Sequence, residues 1–216
     1  MDEDIFLSYE VDLKKQDLKI FWKDDKGQVF RSIQNLKTWV ETKNKTLLFA
    51  TNAGMYKTDN SPLGLFIQNG KTITPLNRRT ATGNFYWKPN GVLYIDMENN
   101  GAIVKTENFI NNGKVKYATQ SGPMLVFDGK IHPEFKQGSI NLNIRNGVGL
   151  LPGNKLVFVM SKKEINLYDL AHYFKKLGCK NALSFDGFVC RTYLPGKNWV
   201  QLDGNFGPIV GVTADR

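Results

Sequence analysis

Four short segments place polar side chains beside glycine at the edge of an apolar run: Thr51-Asn52-Ala53-Gly54-Met55-Tyr56, Gln120-Ser121-Gly122-Pro123-Met124, Asn143-Ile144-Arg145-Asn146-Gly147 and Ser184-Phe185-Asp186-Gly187-Phe188. Such junctions are where backbone amides and side chains can converge on a ligand. Asp186 is the one carboxylate of the four segments and follows the apolar run Ala182-Leu183-Ser184-Phe185, so a strand would deliver it at its end. Each segment also has a plainer reading as a turn, because Asn, Asp, Ser and Gly are the common turn residues.

Elements that could position these segments are legible locally. Asn69-Gly70 between Gly64-Leu65-Phe66-Ile67-Gln68 and Lys71-Thr72-Ile73-Thr74 predicts a hairpin with a type I′ turn, which needs positive φ at both central residues. Similar turns are expected at Pro89-Asn90-Gly91, joining a strand over residues 84–87 to Val92-Leu93-Tyr94-Ile95, and at Asp128-Gly129 and Pro152-Gly153-Asn154. Leu167, Leu170, Ala171, Phe174 and Leu177 recur along one helical face, predicting a helix over 166–177 capped by Asn166 and stopped at Gly178. A second helix over 32–42 would turn Ile33, Leu36 and Val40 inward. The last strand is expected over 207–212, with 213–216 as a loose tail. No repeat, low-complexity tract or linker divides the chain, so the reading is one α+β domain over 1–216, β-rich with a largely antiparallel or mixed sheet.

Composition narrows the function. At 216 residues, 41% hydrophobic and 12% aromatic, the chain can bury a sizeable core, which excludes intrinsic disorder as the main reading. The excess of 29 Lys and Arg over 20 Asp and Glu, a net charge of +9, favours anionic partners. Two cysteines and two histidines make a disulfide scaffold or a His-rich metal cluster a poor fit, and no window approaches the ~20 apolar residues of a membrane span. Cys179 and Cys190 are expected as buried thiols, His132 as a turn residue and His172 as a helix residue.

Taken in order and spacing, the four segments resemble the phosphodiester glycosidase family. Asn52-Ala53-Gly54-Met55-Tyr56 is similar to that family's Asn-Gly-Gly-Phe-Phe-like motif, and Ser121-Gly122-Pro123 to its Ser-Gly-Pro/Gly segment before a strand and an Asp-Gly turn. Arg145-Asn146-Gly147-Val148-Gly149 matches an Arg-Thr-Ala-Ile-Gly-like segment, and Asp186-Gly187-Phe188-Val189-Cys190 an Asp-Gly-Gly-Gly-Ser-like motif after a helix ending in Leu-Gly. The resemblance spans roughly residues 47–212. It departs at Ala53, where a glycine is usual, and at Phe188-Val189, which replace a glycine-rich loop.

The resemblance implies hydrolysis of a sugar 1-phosphodiester at the sugar carbon, giving free sugar and a phosphomonoester. It implies Asp186, Arg145 and Asn52 as catalytic residues, with Ser121, Gly122, Gly54, Tyr56, Asn146, Gly187 and Arg191 binding the substrate. A planar Arg fork suits a phosphodiester through two parallel hydrogen bonds, and a carboxylate can activate water or stabilise positive charge on the sugar ring. Asp96, Glu98, Asp128 and Asp203 are further candidate acids, and Tyr56, Tyr86, Trp87 and Trp199 could stack on sugar, although aromatics in a β-rich domain are more often core. No cofactor or metal is required; a divalent cation is conceivable but nothing in the spacing demands one. The expected partner is a small-molecule or glycan phosphodiester, with no nucleic acid and no membrane span. The acidic start leading directly into Ile5-Phe6-Leu7-Ser8-Tyr9 is what a clipped leader leaves behind, so with the resemblance a periplasmic or otherwise exported location, in the periplasm or at the cell surface of a bacterium, is expected. The altered loop motivates a second function class, a non-catalytic phosphosugar or anionic-glycan binding module of the same fold. Nucleic-acid binding rests on net charge alone, since the lysines are scattered and no stretch interleaves them with aromatics.

Overall fold

The structure, a computed structural model, describes residues 2–185 and 189–216. Its architecture is α+β, built on three sheets whose strand pairs are antiparallel. A six-stranded sheet has the order β1 (Phe6–Asp12), β12 (Lys155–Ser161), β11 (Asn146–Leu151), β13 (Asn181–Ser184), β9 (Met124–Phe127) and β10 (Lys130–Ile131). A second runs β15 (Trp199–Val200), β14 (Thr192–Leu194), β3 (Lys45–Asn52), β16 (Ile209–Asp215) and β2 (Asp17–Phe21). The third runs β5 (Lys71–Thr74), β4 (Phe66–Gln68), β8 (Val115–Ser121), β6 (Gly91–Asp96) and β7 (Gly101–Lys105). Helix α1 (Asp2–Ile5) is a single turn before β1.

Local chemistry accounts for most elements. Asn69 and Gly70 have φ of 51° and 78°, the left-handed pair that the tight β4–β5 turn requires. The two longer helices, α2 (Ile33–Thr42) and α3 (Leu167–Lys176), begin at side-chain caps: Ser32 Oγ accepts from Asn35 N and Asn166 Oδ1 from Asp169 N. Ile33, Leu36 and Val40 point inward from α2 as expected. The main core lies where the sheets face one another, with Phe49, Phe66, Leu93, Val148, Phe158, Leu183, Phe185 and Val210 buried together, while α3 covers the opposite face of the six-stranded sheet.

Two expectations are corrected. Residues 84–87 form no strand: Tyr86 N donates to Gly83 O and Trp87 N to Asn84 O, closing a 3-10 turn that sinks Phe85 into the interior, and Asn90 Nδ2 holds Phe85 O at 2.8 Å. Burial of one aromatic side chain outweighs the extended pattern. The C-terminal residues are no loose tail either, since Thr213, Ala214 and Asp215 extend β16 along Leu47, Thr46 and Lys45 of β3. The paired backbone groups and the burial of Thr213 hold them there.

Candidate functional site

The ends of β3, β8 and β13 and the start of β11 meet in one place. Asn146 opens β11 and, because alternate residues of a strand face opposite ways, points with Val148 into the space between the sheets. Its Nδ2 donates to Thr51 Oγ1, Asn52 O and Asn52 Oδ1, each at 3.0 Å. Asn52 Oδ1 also accepts Arg191 N at 2.9 Å, and the Cys190 thiol donates to Asn146 Oδ1 and Ile144 O. Thr192 Oγ1 lies 3.1 Å from Thr51 Oγ1, closing the network. Phe185, at the end of β13, donates its N–H to Asn146 O, and Ser184 N bonds Pro123 O. Asn52, Asn146, Arg191 and the Ser121–Pro123 corner are thereby joined within one buried framework.

Two donors on Asn52 Oδ1 fix that amide's orientation and turn its NH2 group away from them. Asn52 Nδ2 is then a buried donor with no acceptor, and Ser121 Oγ is likewise buried and unpartnered. Buried polar groups without partners are uncommon and costly, about 1–3 kcal/mol each, which makes them candidates for ligand contact. The only other such atom among the described residues is Trp199 Nε1.

The glycines of these motifs have a packing role. A Cβ on Gly54 would lie 2.3 Å from Thr119 Oγ1 and 2.6 Å from Gln120 O, and one on Gly122 2.8 Å from Asn90 Cβ and Phe85 O. Glycine at these positions lets the β3 extension and the β8 corner approach their neighbours whatever is bound. Tyr56 donates from Oη to Asn205 O at 3.1 Å and packs beside Gly207 and Phe206 rather than over open space. Asp186 and Gly187 lie outside the described residues.

The two motif arginines have opposite surroundings. Arg191 is neutralised within the chain: Nε and Nη2 form a two-pronged pair with Asp203 at 2.8 and 2.9 Å, which raises the Arg191 pKa and holds Asp203 below the usual carboxylate range. Arg145, 2% exposed, faces no carboxylate within ion-pair distance among the described residues. Its Nε donates to Ile165 O at 2.8 Å and Nη2 to Asn141 O at 2.9 Å, and burial pushes the guanidinium below its ordinary range, with the Cys190 sulfur acting in the opposite sense. Being one residue from Asn146, it points to the other face of the sheet, where it lines a cavity of about 220 Å³ with Trp87, Phe135 and Tyr168.

Other candidates are accounted for structurally. Asp96 bonds the N–H groups of Glu98 and Asn100 within its turn, and Asp128 pairs with Lys105 at 3.0 Å. His132 is buried after β10, with Nε2 against Lys88 O and Nδ1 accepting Glu134 N, so both ring nitrogens are occupied by backbone. His172 is on the exposed side of α3. Cys179 and Cys190 form no disulfide; Cys179 packs against Gly149 and Phe174, where burial raises its thiol pKa to about 12. Among the described residues no three His, Cys, Asp or Glu side chains are grouped as a metal site would need, and no helix is long and apolar enough to cross a membrane.

Sequence reasoning assigned no role to Thr51 and Cys190, although both stand inside the motif segments, and did not single out Thr192, next to Arg191. The opposed directions of Arg145 and Asn146 were available in principle from strand alternation.

Comparison with known proteins agrees with this arrangement. The chain is 33% identical over 190 residues to the uncharacterized protein YigE of Escherichia coli (strain K12), covering 88% of this chain and 74% of that protein. Its fold is similar to the zebrafish N-acetylglucosamine-1-phosphodiester alpha-N-acetylglucosaminidase catalytic domain auto-inhibited by its pro-peptide (TM-score 0.60, 16% identity, covering 96% of this chain and 88% of that one). It is also similar to a candidate exported protein of Burkholderia pseudomallei (TM-score 0.63, 9% identity, covering 96% and 73%). At these identities the structural likeness is one of fold. The sequence profile of the phosphodiester glycosidase family matches residues 45–205, which contain the whole Asn52–Asn146–Arg191 framework, and the chain belongs to that family.

Proposed function

We propose that the protein hydrolyses a sugar 1-phosphodiester. Water adds to the anomeric carbon, the bond from that carbon to the bridging oxygen breaks, and free sugar and a phosphomonoester leave. Asp186, directly after Phe185 in the chain, is the carboxylate proposed to take the proton from water. A phosphomonoester is a good leaving group, so a second carboxylate acting as general acid is not needed. Asn52 Nδ2 and Ser121 Oγ are proposed to bond the sugar or its phosphate, and Arg145 to offset phosphate charge.

The observation that carries this reading is the Asn52 amide: a network of motif residues holds its acceptor and leaves its donor buried and unused. Catalytic groups need such preorganisation, in which a donor already points to where charge will develop. The location proposed is extracytoplasmic, supported by the acidic start of the chain and by the candidate exported protein of similar fold.

The test is a proton NMR time course with UDP-N-acetylglucosamine and an alkyl N-acetylglucosamine 1-phosphodiester, watching the anomeric signals. Release of free sugar by wild type and its loss in Asp186→Ala would support hydrolysis, and the first anomer to appear reports inversion or retention. Saturable binding of both compounds with no release would favour the non-catalytic binding module.

A further inference from the structure

We propose that the cavity at Arg145 and the hollow beyond Trp87 form one groove that binds the phosphate-bearing half of the substrate, a phosphomonoester carrying a ring. This rests on the hydrolysis reading, with the substrate crossing the start of β11 from the Asn52 face to the Arg145 face, and adds to it the site and chemical class of the departing half.

Charge is the first argument. Among the described residues no carboxylate lies within ion-pair distance of the buried Arg145 guanidinium, and an incoming oxyanion would compensate its charge. Leu167 and Tyr168, the first residues of α3, line the same cavity, so the positive end of the helix lies at its wall. Lys136 adds a further cation at the rim. Glu134 also lines it and keeps its charge, its Oε2 accepting the Trp87 Nε1–H at 2.8 Å, so the lining carries two cations against one carboxylate.

Shape is the second. Trp87 and Glu134 line both the cavity of about 220 Å³ and an adjoining hollow of about 480 Å³ that reaches Tyr86 and Lys88. Together they reach the size of small-molecule sites, ~300–1,000 Å³. The Trp87 ring is held edge-on by His132 at 5.5 Å and Phe135 at 5.4 Å, so an aromatic wall stands ready beside the buried cation. A rigid ring wall beside a fixed guanidinium suits a ligand with an anionic head and a flat body. The occupied His132 nitrogens explain why that histidine supports the wall rather than the chemistry.

The probes are phenyl phosphate, inorganic phosphate and N-acetylglucosamine, titrated into the full-length protein by calorimetry, with the indole N–H resonance of Trp87 followed by NMR. Phenyl phosphate should shift that resonance saturably and bind at least about tenfold more tightly than inorganic phosphate, while N-acetylglucosamine should leave the resonance in place. Trp87→Phe and Lys136→Ala should each weaken phenyl phosphate severalfold, and Arg145→Met should abolish its binding. If Arg145→Met fails to fold, the two milder variants still decide. An unmoved Trp87 resonance, equal binding of the two phosphates, or wild-type affinity in both milder variants would overturn the groove. Hydrolysis in the NMR time course together with an unmoved Trp87 would sink this proposal alone; a saturable Trp87 shift without hydrolysis would sink the enzymatic reading alone.

Discussion

Two cation-rich hollows on this molecule differ in one respect. The hollow between β2, α2 and the β4–β5 turn, about 260 Å³, is lined by Lys19, Lys43 and Lys45 beside Trp39. Each of those lysines has a carboxylate: Lys19 reaches Asp17 at 2.8 Å, Lys43 pairs with Asp25, and Lys45 reaches Asp215 at 2.9 Å. The cavity at Arg145 is smaller, but among the described residues its deepest cation bonds only backbone carbonyls and the Asn141 amide oxygen. Counting positive residues would rank the lysine hollow as the better anion site. Counting compensation reverses the order, because a paired charge gains little from a new partner and an unpaired buried one gains much.

The largest effect is expected at the framework that separates the two faces of β11. Asn146→Ala removes the buried amide that bonds Thr51 Oγ1, Asn52 O and Asn52 Oδ1 and takes one acceptor from the Cys190 thiol, so denaturant unfolding should show a loss of roughly 2–4 kcal/mol. Next comes Arg145→Met. Removing an uncompensated buried charge while keeping side-chain length should leave stability within about 1 kcal/mol of wild type or raise it, as thermal unfolding would report, and sugar release should still be lost. A fall in both together would make Arg145 a structural residue instead.

Smaller effects test the compensated charges. Replacing Lys19, Lys43 and Lys45 together by Ala should leave phenyl phosphate affinity unchanged by calorimetry; a marked loss would reverse the ranking of the two hollows. Asp203→Asn should cost less than about 1 kcal/mol, given its exposure. The Asp203 carboxyl is lowered by Arg191, so its contribution is present above the ordinary Asp range near 3.9 and is lost as pH falls below it. A pH series of wild type and Asp203→Asn should therefore converge at acid pH. Cys179 works in the other sense. With its thiol pKa raised to about 12 by burial, stability is unaffected at neutral pH and declines as pH rises from the unfolded value near 8.5 towards 12. At pH 8 a thiol reagent should leave Cys179 unlabelled until the protein unfolds, which mass spectrometry of the labelled peptide would show.

Much of the scaffold was legible because its causes lie within a few residues of one another. The Asn69-Gly70 turn, the Asn166 cap with Asp169 N, and the inward stripe of α2 each need only local geometry. Residues 84–87 misled because the strand-like pattern there is overridden by Phe85 finding a buried place, a matter of what surrounds it. The C-terminal strand was underestimated for the same reason: Thr213 and Asp215 have a partner only because β3 passes beside them.

The site divides along the same line. Residue types and their order, through the family resemblance they carry, marked Asn52, Ser121, Asn146 and Arg191 as one group. Tertiary structure decided what each does. The sheet pairing carried Asp203 to Arg191 and brought no carboxylate within ion-pair distance of Arg145 among the described residues, and strand alternation set Arg145 and Asn146 on opposite faces. Type and spacing are local properties of a chain, but whether a charge is compensated or a donor satisfied depends on groups far along it, and only the folded packing brings those groups within hydrogen-bond reach.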